Sequence, residues 1–261
     1  MSYTIVYKTY SNDLDWFNYS IKSVCKYLLP FNNISKILIY SHDICCDKVE
    51  NIMKDILIEF KIIPVNYNYH GYIKQMIIKA LVFNDVDTKY VVYIDSDCIF
   101  TNKYELSKLI NNNGKPYWYF TNDVHNSGCL VWSDVVKAMT NSEMKYYYMY
   151  NAFPFIVETS TLKIANEKFI EMHGKTYEEF ARERIANYNI RVEDNIVNTF
   201  DKLSKVFSEF EYIGFIAHNF TNQYEFILNN RNKENLKQFW SHGGINNEIL
   251  TELDQTIKIE T

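Results

Sequence analysis

In KYVVYIDSDCIF (residues 89–100), five apolar or aromatic residues lead into Asp95 and Asp97 before the chain turns apolar again. Residues i and i+2 of an extended strand share a face, so a bend after Ile94 brings both carboxylates toward one point. Two carboxylates that close repel each other unless positive charge lies between them. A divalent cation meets that need, and hard oxygen ligands suit Mg2+ or Mn2+ carrying a diphosphate. The chain has 14 Asp residues and three D-x-D triplets, and context separates the three. Asp13 with Asp15 reads as a helix start and Asp85 with Asp87 as a polar loop, where acids are ordinary. Only Asp95 and Asp97 end a strand that reads as buried. The plain alternative is a solvated strand end that caps the next turn.

Three further stretches carry residue types with chemical potential. HGYIKQMIIKALVF (residues 70–83) puts Tyr72, Gln75 and Lys79 on one helical stripe, opposite a core stripe of Ile73, Met76, Ile77 and Ala80. On pattern alone Lys79 is a surface lysine. FSEFEYIGF (residues 207–215) places Glu209 and Glu211 on one face if extended, the geometry of paired carboxylates in acid/base work. Pattern alone reads this stretch as an edge strand with one polar face. QFWSHGGIN (residues 238–246) sets a lone His242 beside Gly243 and Gly244, two of only seven glycines in the chain.

These residues need a scaffold, and the first half of the chain supplies one. Strand patterns at residues 3–8, 36–41, 62–67 and 90–94 alternate with helix patterns near 14–28, 49–60 and 70–83. That order predicts an α/β fold, a mostly parallel central sheet with helices on both faces. Ligands in such sheets bind beyond the carboxyl ends of the strands. Farther on, residues 117–121 and 129–132 read as strands and 135–149 as a helix. Residues 159–172 read as a helix closed by Gly174, Thr176 with Glu179 as a capping box, and 194–207 as a helix. Without repeats or a Pro/Gly/Ser linker, residues 1–261 read as one domain, with the second half inserted over the strand ends.

Composition narrows the partners. The 261 residues carry a formal charge of −5, with no Lys/Arg run to draw in nucleic acid or anionic lipid. A small anionic ligand then needs local positive charge, from a cation, a lysine or helix amino termini. Five cysteines without C-x-x-C spacing, no leader pattern and no run long enough to span a membrane lead to the expectation of a reduced, cytoplasmic protein.

The strand ending in Asp95 and Asp97 resembles the D-x-D element of GT-A-type glycosyltransferases, and the resemblance implies a GT-A-like, Rossmann-like α/β fold with a nucleotide-binding half (1–100) and an acceptor-binding, closing half (101–261). The chain is further similar to one GT-A family with G-Y-x-x-Q-x-x-x-K, S-E-[YF]-E and W-S-H elements, which match scattered positions from Tyr3 to His242. The resemblance implies transfer of a sugar from a nucleotide-sugar donor, a UDP-sugar, to a hydroxyl acceptor on a glycan, protein or small molecule. It implies Asp95, Asp97 and His242 around Mn2+ or Mg2+, the imidazole favouring Mn2+. Thr9, Tyr10 and Ser11 would meet base or ribose, and Gln75, Lys79, Asp95, Ser96 and Gly243 the rest of the donor. Glu209 would be the base, with Glu211 beside it.

A second alignment, with retaining transferases related to glycogenin, rests on HNSGCLVW (residues 125–132) and VEDNIVN (residues 192–198). There Glu193 and Asp194 stand where the pattern has Asp and Gln, which makes Asp194 the second base candidate. Two other readings stand beside transfer. One is a catalytically silent module that binds glycan or protein. The other is a nucleotidyltransferase, disfavoured because KTYSNDLD (residues 8–15) lacks a Gly-rich basic loop.

Overall fold

The computed structural model describes residues 1–66, 68–125, 128–150, 153–229, 236–239, 241 and 244–258. Its first half is a repeated strand–helix unit: β1 (Tyr3–Thr9), α1 (Leu14–Tyr27), β2 (Ile34–His42), α2 (Cys46–Met53), β3 (Phe60–Val65), α3 (Gly71–Leu81) and β4 (Tyr90–Tyr93). A short β5 (Cys98–Phe100) follows. Then come β6 (Tyr117–Phe120), α4 (Ser133–Thr140), β7 (Phe155–Glu158), α5 (Thr159–His173), α6 (Tyr177–Asn187), α7 (Ile196–Leu203) and α8 (Glu209–Phe220). The chain ends with β8 (Glu225–Leu228), β9 (Leu236–Gln238) and α9 (Asn247–Ile257).

The main sheet runs β3-β2-β1-β4-β7. Its first four strands are parallel, and β7 closes one edge antiparallel to β4, from Tyr90↔Glu158 to Tyr93↔Phe155. This is the α/β architecture the sequence leads one to expect. All seven residues of β1 are buried, as expected for a strand covered on both faces. Alternation splits them: Ile5 and Tyr7 pack with Phe17, Ile21 and Val24 of α1, whereas Val6 packs with Ile73, Met76 and Ile77 of α3. At the β3 rim, Pro64 removes one backbone donor and Lys61 is exposed.

Strand order matters for function. From β1 the chain steps outward to β2 and β3, then crosses back so that β4 lies on the other side of β1. The carboxyl ends of β1 and β4 therefore flank the point where the winding reverses, the crevice where open α/β sheets bind ligands.

Several local expectations need correction. The helix expected over 49–60 is α2, ending at Met53, and Phe60 already begins β3. Residues 129–132 form a 3-10 turn rather than a strand. The helix expected over 135–149 stops at Thr140, where Asn141 takes the left-handed conformation (φ 54°). The one expected over 194–207 is the shorter α7. Residues 209–220 are a helix, not an edge strand. The helix ending at Gly174 (φ 63°) and the Thr176–Glu179 capping box are both present.

Candidate active site

Asp95 and Asp97 occupy a tight turn between β4 and β5 rather than an extended segment, closed by the Cys98 N–H donating to the Asp95 carbonyl at 3.0 Å. The Ser96 hydroxyl donates to the Lys8 carbonyl at 3.1 Å, which ties the turn to the end of β1. From the other side α1 stitches β5 in place: the Ser20 hydroxyl donates to the Cys98 carbonyl (2.6 Å), and Ser23 accepts the Phe100 N–H (3.0 Å). Two serines on the buried face of α1, poor choices for pure packing, thus fix where the turn can sit.

Lys79 is not a surface lysine. It is 4% exposed, and its Nζ donates to Asp95 Oδ1 at 2.7 Å. The Tyr93 hydroxyl donates to the Lys79 carbonyl (2.7 Å), so β4 holds the turn of α3 from which the ammonium reaches the acid. Rings of Phe153 and Phe210 lie 5.4 and 5.6 Å from the ammonium. Burial alone pushes this ammonium down, but Asp95 and Glu209 more than offset it, and Lys79 stands above its ordinary value.

Glu209 and Glu211 are both buried but do not share a face, because residues two apart on a helix point about 200° apart. Glu209 lies in the field of Lys79 and Asp95. Burial pushes it up to about 7, against the lowering effect of Lys79. Glu211 faces elsewhere: its Oε1 accepts the Met149 N–H at 2.7 Å, and burial pushes it up to about 8. Among the described residues, neither acid has a hydrogen-bond partner for its buried Oε2. The structure therefore gives Glu209 to the site and Glu211 to the fastening of residues 148–149.

The second base candidate is remote in its bonding. The Asp194 carboxylate accepts the Arg191 N–H at 2.9 Å and closes its own loop, while its carbonyl accepts from His70 Nε2 at 2.9 Å. His242, Gly243 and Asn126 lie outside the described residues. Thr9 is fully buried with no partner for its hydroxyl among the described residues, Ser11 is exposed, and Gln75 is half-buried on the stripe of Lys79.

Three residues join the site that the sequence did not single out for it, Asp13, Lys8 and Ser241, and Tyr72 from the stripe of Lys79 joins them. Asp13 is buried, and burial pushes it up to about 6 in the fields of Lys8, Asp97 and Asp95. Lys8 is buried at the end of β1, pushed down to about 8 by burial, with its ammonium 4.3 Å from the Tyr10 ring centre. Tyr10 in turn is pushed up to about 12 by burial, then by Asp13 and Asp97. Tyr72 is raised by burial, then by the charges of Glu209 and Asp95. Ser241 donates its N–H to Asp97 Oδ2 at 2.9 Å, and its side chain lowers Asp13 against the effect of burial. The available signal was a lysine inside the otherwise uncharged run YTIVYKT and an acid triplet close behind it.

Residues 8–247 match the model of DUF6492, a family of unknown function. The chain belongs to that family. No curated protein matches this DUF6492 chain. Among solved structures it is similar to TarS 1-349 of S. aureus in complex with UDP-GlcNAc, at 17% identity and a TM-score of 0.31, over 40% of this chain and 28% of that one. It is similar to the glycosyltransferase GlyE of Streptococcus pneumoniae TIGR4, at 12% identity and 0.39, over 86% and 44%. It is also similar to the galactosyltransferase LgtC in complex with donor and acceptor sugar analogues, at 14% identity and 0.45, over 66% and 65%. The chain spans less than two thirds of each of these three structures. At identities this low, chemistry has to be read from the site's own residues.

Those residues are unbalanced in charge. When all are ionised, Asp13, Asp95, Asp97 and Glu209 face two ammoniums, Lys8 and Lys79, a deficit that one divalent cation would balance. Asp97 is pushed up by burial and then by Asp95, as expected of acids crowded without enough counter-charge. No group of three or more His, Cys, Asp or Glu is placed to hold a metal among the described residues. Two carboxylates with phosphate oxygens completing the shell are nonetheless an ordinary way to hold Mg2+ or Mn2+. The donor set fits such a cation.

Proposed function

We propose that this protein is a metal-dependent glycosyltransferase of GT-A type that moves a sugar from a nucleotide-sugar, a UDP-sugar, to a hydroxyl acceptor. One observation carries the reading: Asp95 and Asp97 meet Lys79, Asp13 and Glu209 where β1 and β4 end, at the reversal of the sheet's winding. That is where an α/β sheet offers a crevice, and the D-x-D resemblance gives these acids a donor to hold.

In this reading Asp97, with Asp95 and His242, holds Mn2+ or Mg2+ together with the donor diphosphate. The cation supplies Lewis-acid stabilisation of the charge on the departing nucleoside diphosphate. Lys79 orients Asp95 and adds positive charge beside the phosphates. The loop of Thr9, Tyr10 and Ser11 borders base and ribose, and Ser96 keeps the turn closed. Glu209, held near neutrality by burial, takes the proton of the acceptor hydroxyl as its oxygen attacks the anomeric carbon.

A thermal-shift panel of nucleotide sugars with and without Mn2+, followed by donor hydrolysis without acceptor, tests this. A UDP-sugar that stabilises the protein only with Mn2+ and is slowly hydrolysed to UDP supports it. Stabilisation without any hydrolysis points to a silent binding module. Indifference to every nucleotide sugar removes the proposal.

A further inference from the structure

We propose that Ser241 is a positioning residue for Asp97, and that through it the helix α9 is coupled to cation binding. This deepens the metal-dependent reading of the site and rests on it. Asp97 is held twice by the carboxyl-terminal segment: its carbonyl accepts the Phe239 N–H at 3.1 Å, and its Oδ2 accepts the Ser241 N–H at 2.9 Å. Ser241 favours the charged form of Asp97 through its N–H and of Asp13 beside its side chain, two acids that repel each other. Among the described residues the hydrogen-bond partner of Oδ1 is the Cys98 thiol, a weak contact at 3.9 Å. Ser241 thus occupies one oxygen and leaves the other for a cation. A carboxylate pinned in this way is oriented before the ion arrives, the role that outer hydrogen bonds play around metal ligands.

The segment carrying Ser241 is anchored to the helix that locates the acidic turn. β9 pairs with β5, from Cys98↔Gln238 to Phe100↔Leu236, and the Phe239 ring packs 5.4 Å from Trp16 of α1. Leu253 of α9 is fully buried in one cluster with Trp16 and Ile99. Tyr19 donates to Asp254 (2.8 Å), and Tyr27 and Lys26 donate to the Thr256 carbonyl (2.9 and 3.1 Å). α9 therefore docks on α1, while Ser241 meets Asp97 beside the amino end of the same helix. If the docked segment improves cation binding, the cation must by reciprocity hold the segment more firmly.

The test uses the full-length chain. Mn2+ is titrated by calorimetry with and without UDP, and amide exchange of α9 is followed with and without Mn2+. The expected result is several-fold slower exchange in α9 when Mn2+ is bound. Ser241→Pro, which removes the N–H donated to Asp97, should weaken Mn2+ binding about tenfold, with Ser241→Ala, which keeps that N–H, as the control. Unchanged or faster α9 exchange in a protein that binds Mn2+ overturns the coupling, and this measurement needs no variant. Ser241→Pro binding Mn2+ as tightly as the unaltered chain overturns the positioning role. Failure of the unaltered chain to take up Mn2+, with or without UDP, removes the metal-dependent reading and this inference together.

Discussion

Lys79 Nζ sits 2.7 Å from Asp95 Oδ1 with the lysine side chain 5% exposed and the aspartate side chain 23% exposed. A pair this dry is not held for stability alone, since its desolvation offsets much of its attraction. Its value lies in fixing where Asp95 points, with Glu209 as the second acid in the field of the same ammonium.

Lys79→Met should leave Asp95 and Glu209 facing each other without their shared cation. Removing one partner of a buried pair costs about 3 kcal/mol, and the partial exposure of Asp95 places this one at or below that value. Urea denaturation checks the stability. Mn2+-dependent donor binding should fall in the same variant, and a Lys79→Met protein with the donor affinity of the parent would show that the ammonium plays no part in the site.

Glu209→Gln should still bind donor while transfer falls by roughly 10²-fold, the scale of a lost general base. The acid is pushed up to about 7, so in the parent the base form gains population as pH rises through about 7, and transfer should rise with it. Lys79 lowers Glu209, so Lys79→Met should move that rise to higher pH wherever activity survives. A flat profile between pH 6 and 8, or transfer unaffected by Glu209→Gln, assigns the proton to another group.

Glu211→Gln should change stability rather than chemistry. Folding raises this acid from 4.5 to about 8, so the folded state prefers it protonated. Its favourable contribution is complete below about 4.5 and is lost as pH climbs to about 8, a loss on the order of 5 kcal/mol. Glutamine keeps an oxygen for the Met149 N–H and does not ionise. The stability difference between variant and parent should therefore swing toward the variant between pH 5 and 8, as read from urea midpoints. A difference independent of pH would mean that Glu211 titrates normally.

Gly214→Ala tests the packing behind Glu211. A Cβ on Gly214 would overlap the Tyr148 side chain and come within 2.9 Å of Trp118 Cζ2. Overpacking of this kind costs about 1–3 kcal/mol. Because Tyr148 adjoins the Met149 N–H that Glu211 accepts, the loss of thermal stability should come with a disturbed Glu211 titration. A melting temperature equal to the parent's would show that α8 has room to shift.

The first half of the fold was legible because a parallel sheet covered on both faces writes short apolar runs between helices of clear period, and Ile5, Ile37 and Val92 obey that rule. The second half was less so. Glu209 to Ala217 is buried except for a half-buried Phe215, so α8 has no polar face to betray its period, and S-E-F-E-Y imitates strand alternation instead. Asn141 ends α4 by a left-handed turn that propensity does not single out. Within the site, Asp95 and Asp97 drew attention by their place at a buried strand's end, whereas Lys79 read as a surface lysine on pattern alone and entered only through the resemblance. Asp13 was not legible, because an acid opening a helix is common and only the tertiary approach of Ser241 and Asp97 changes its role. Lys8 was hidden by its strand, where a charge reads as an exposed position until both faces prove covered.

The β3 rim bears on how the molecule behaves in company. Pro64 breaks the row of amides that another extended segment would need, and the exposed Lys61 would place a charge in any such seam. Lengthening the sheet by a foreign strand is thus disfavoured on that side, so crowded solutions should not nucleate fibrils from it.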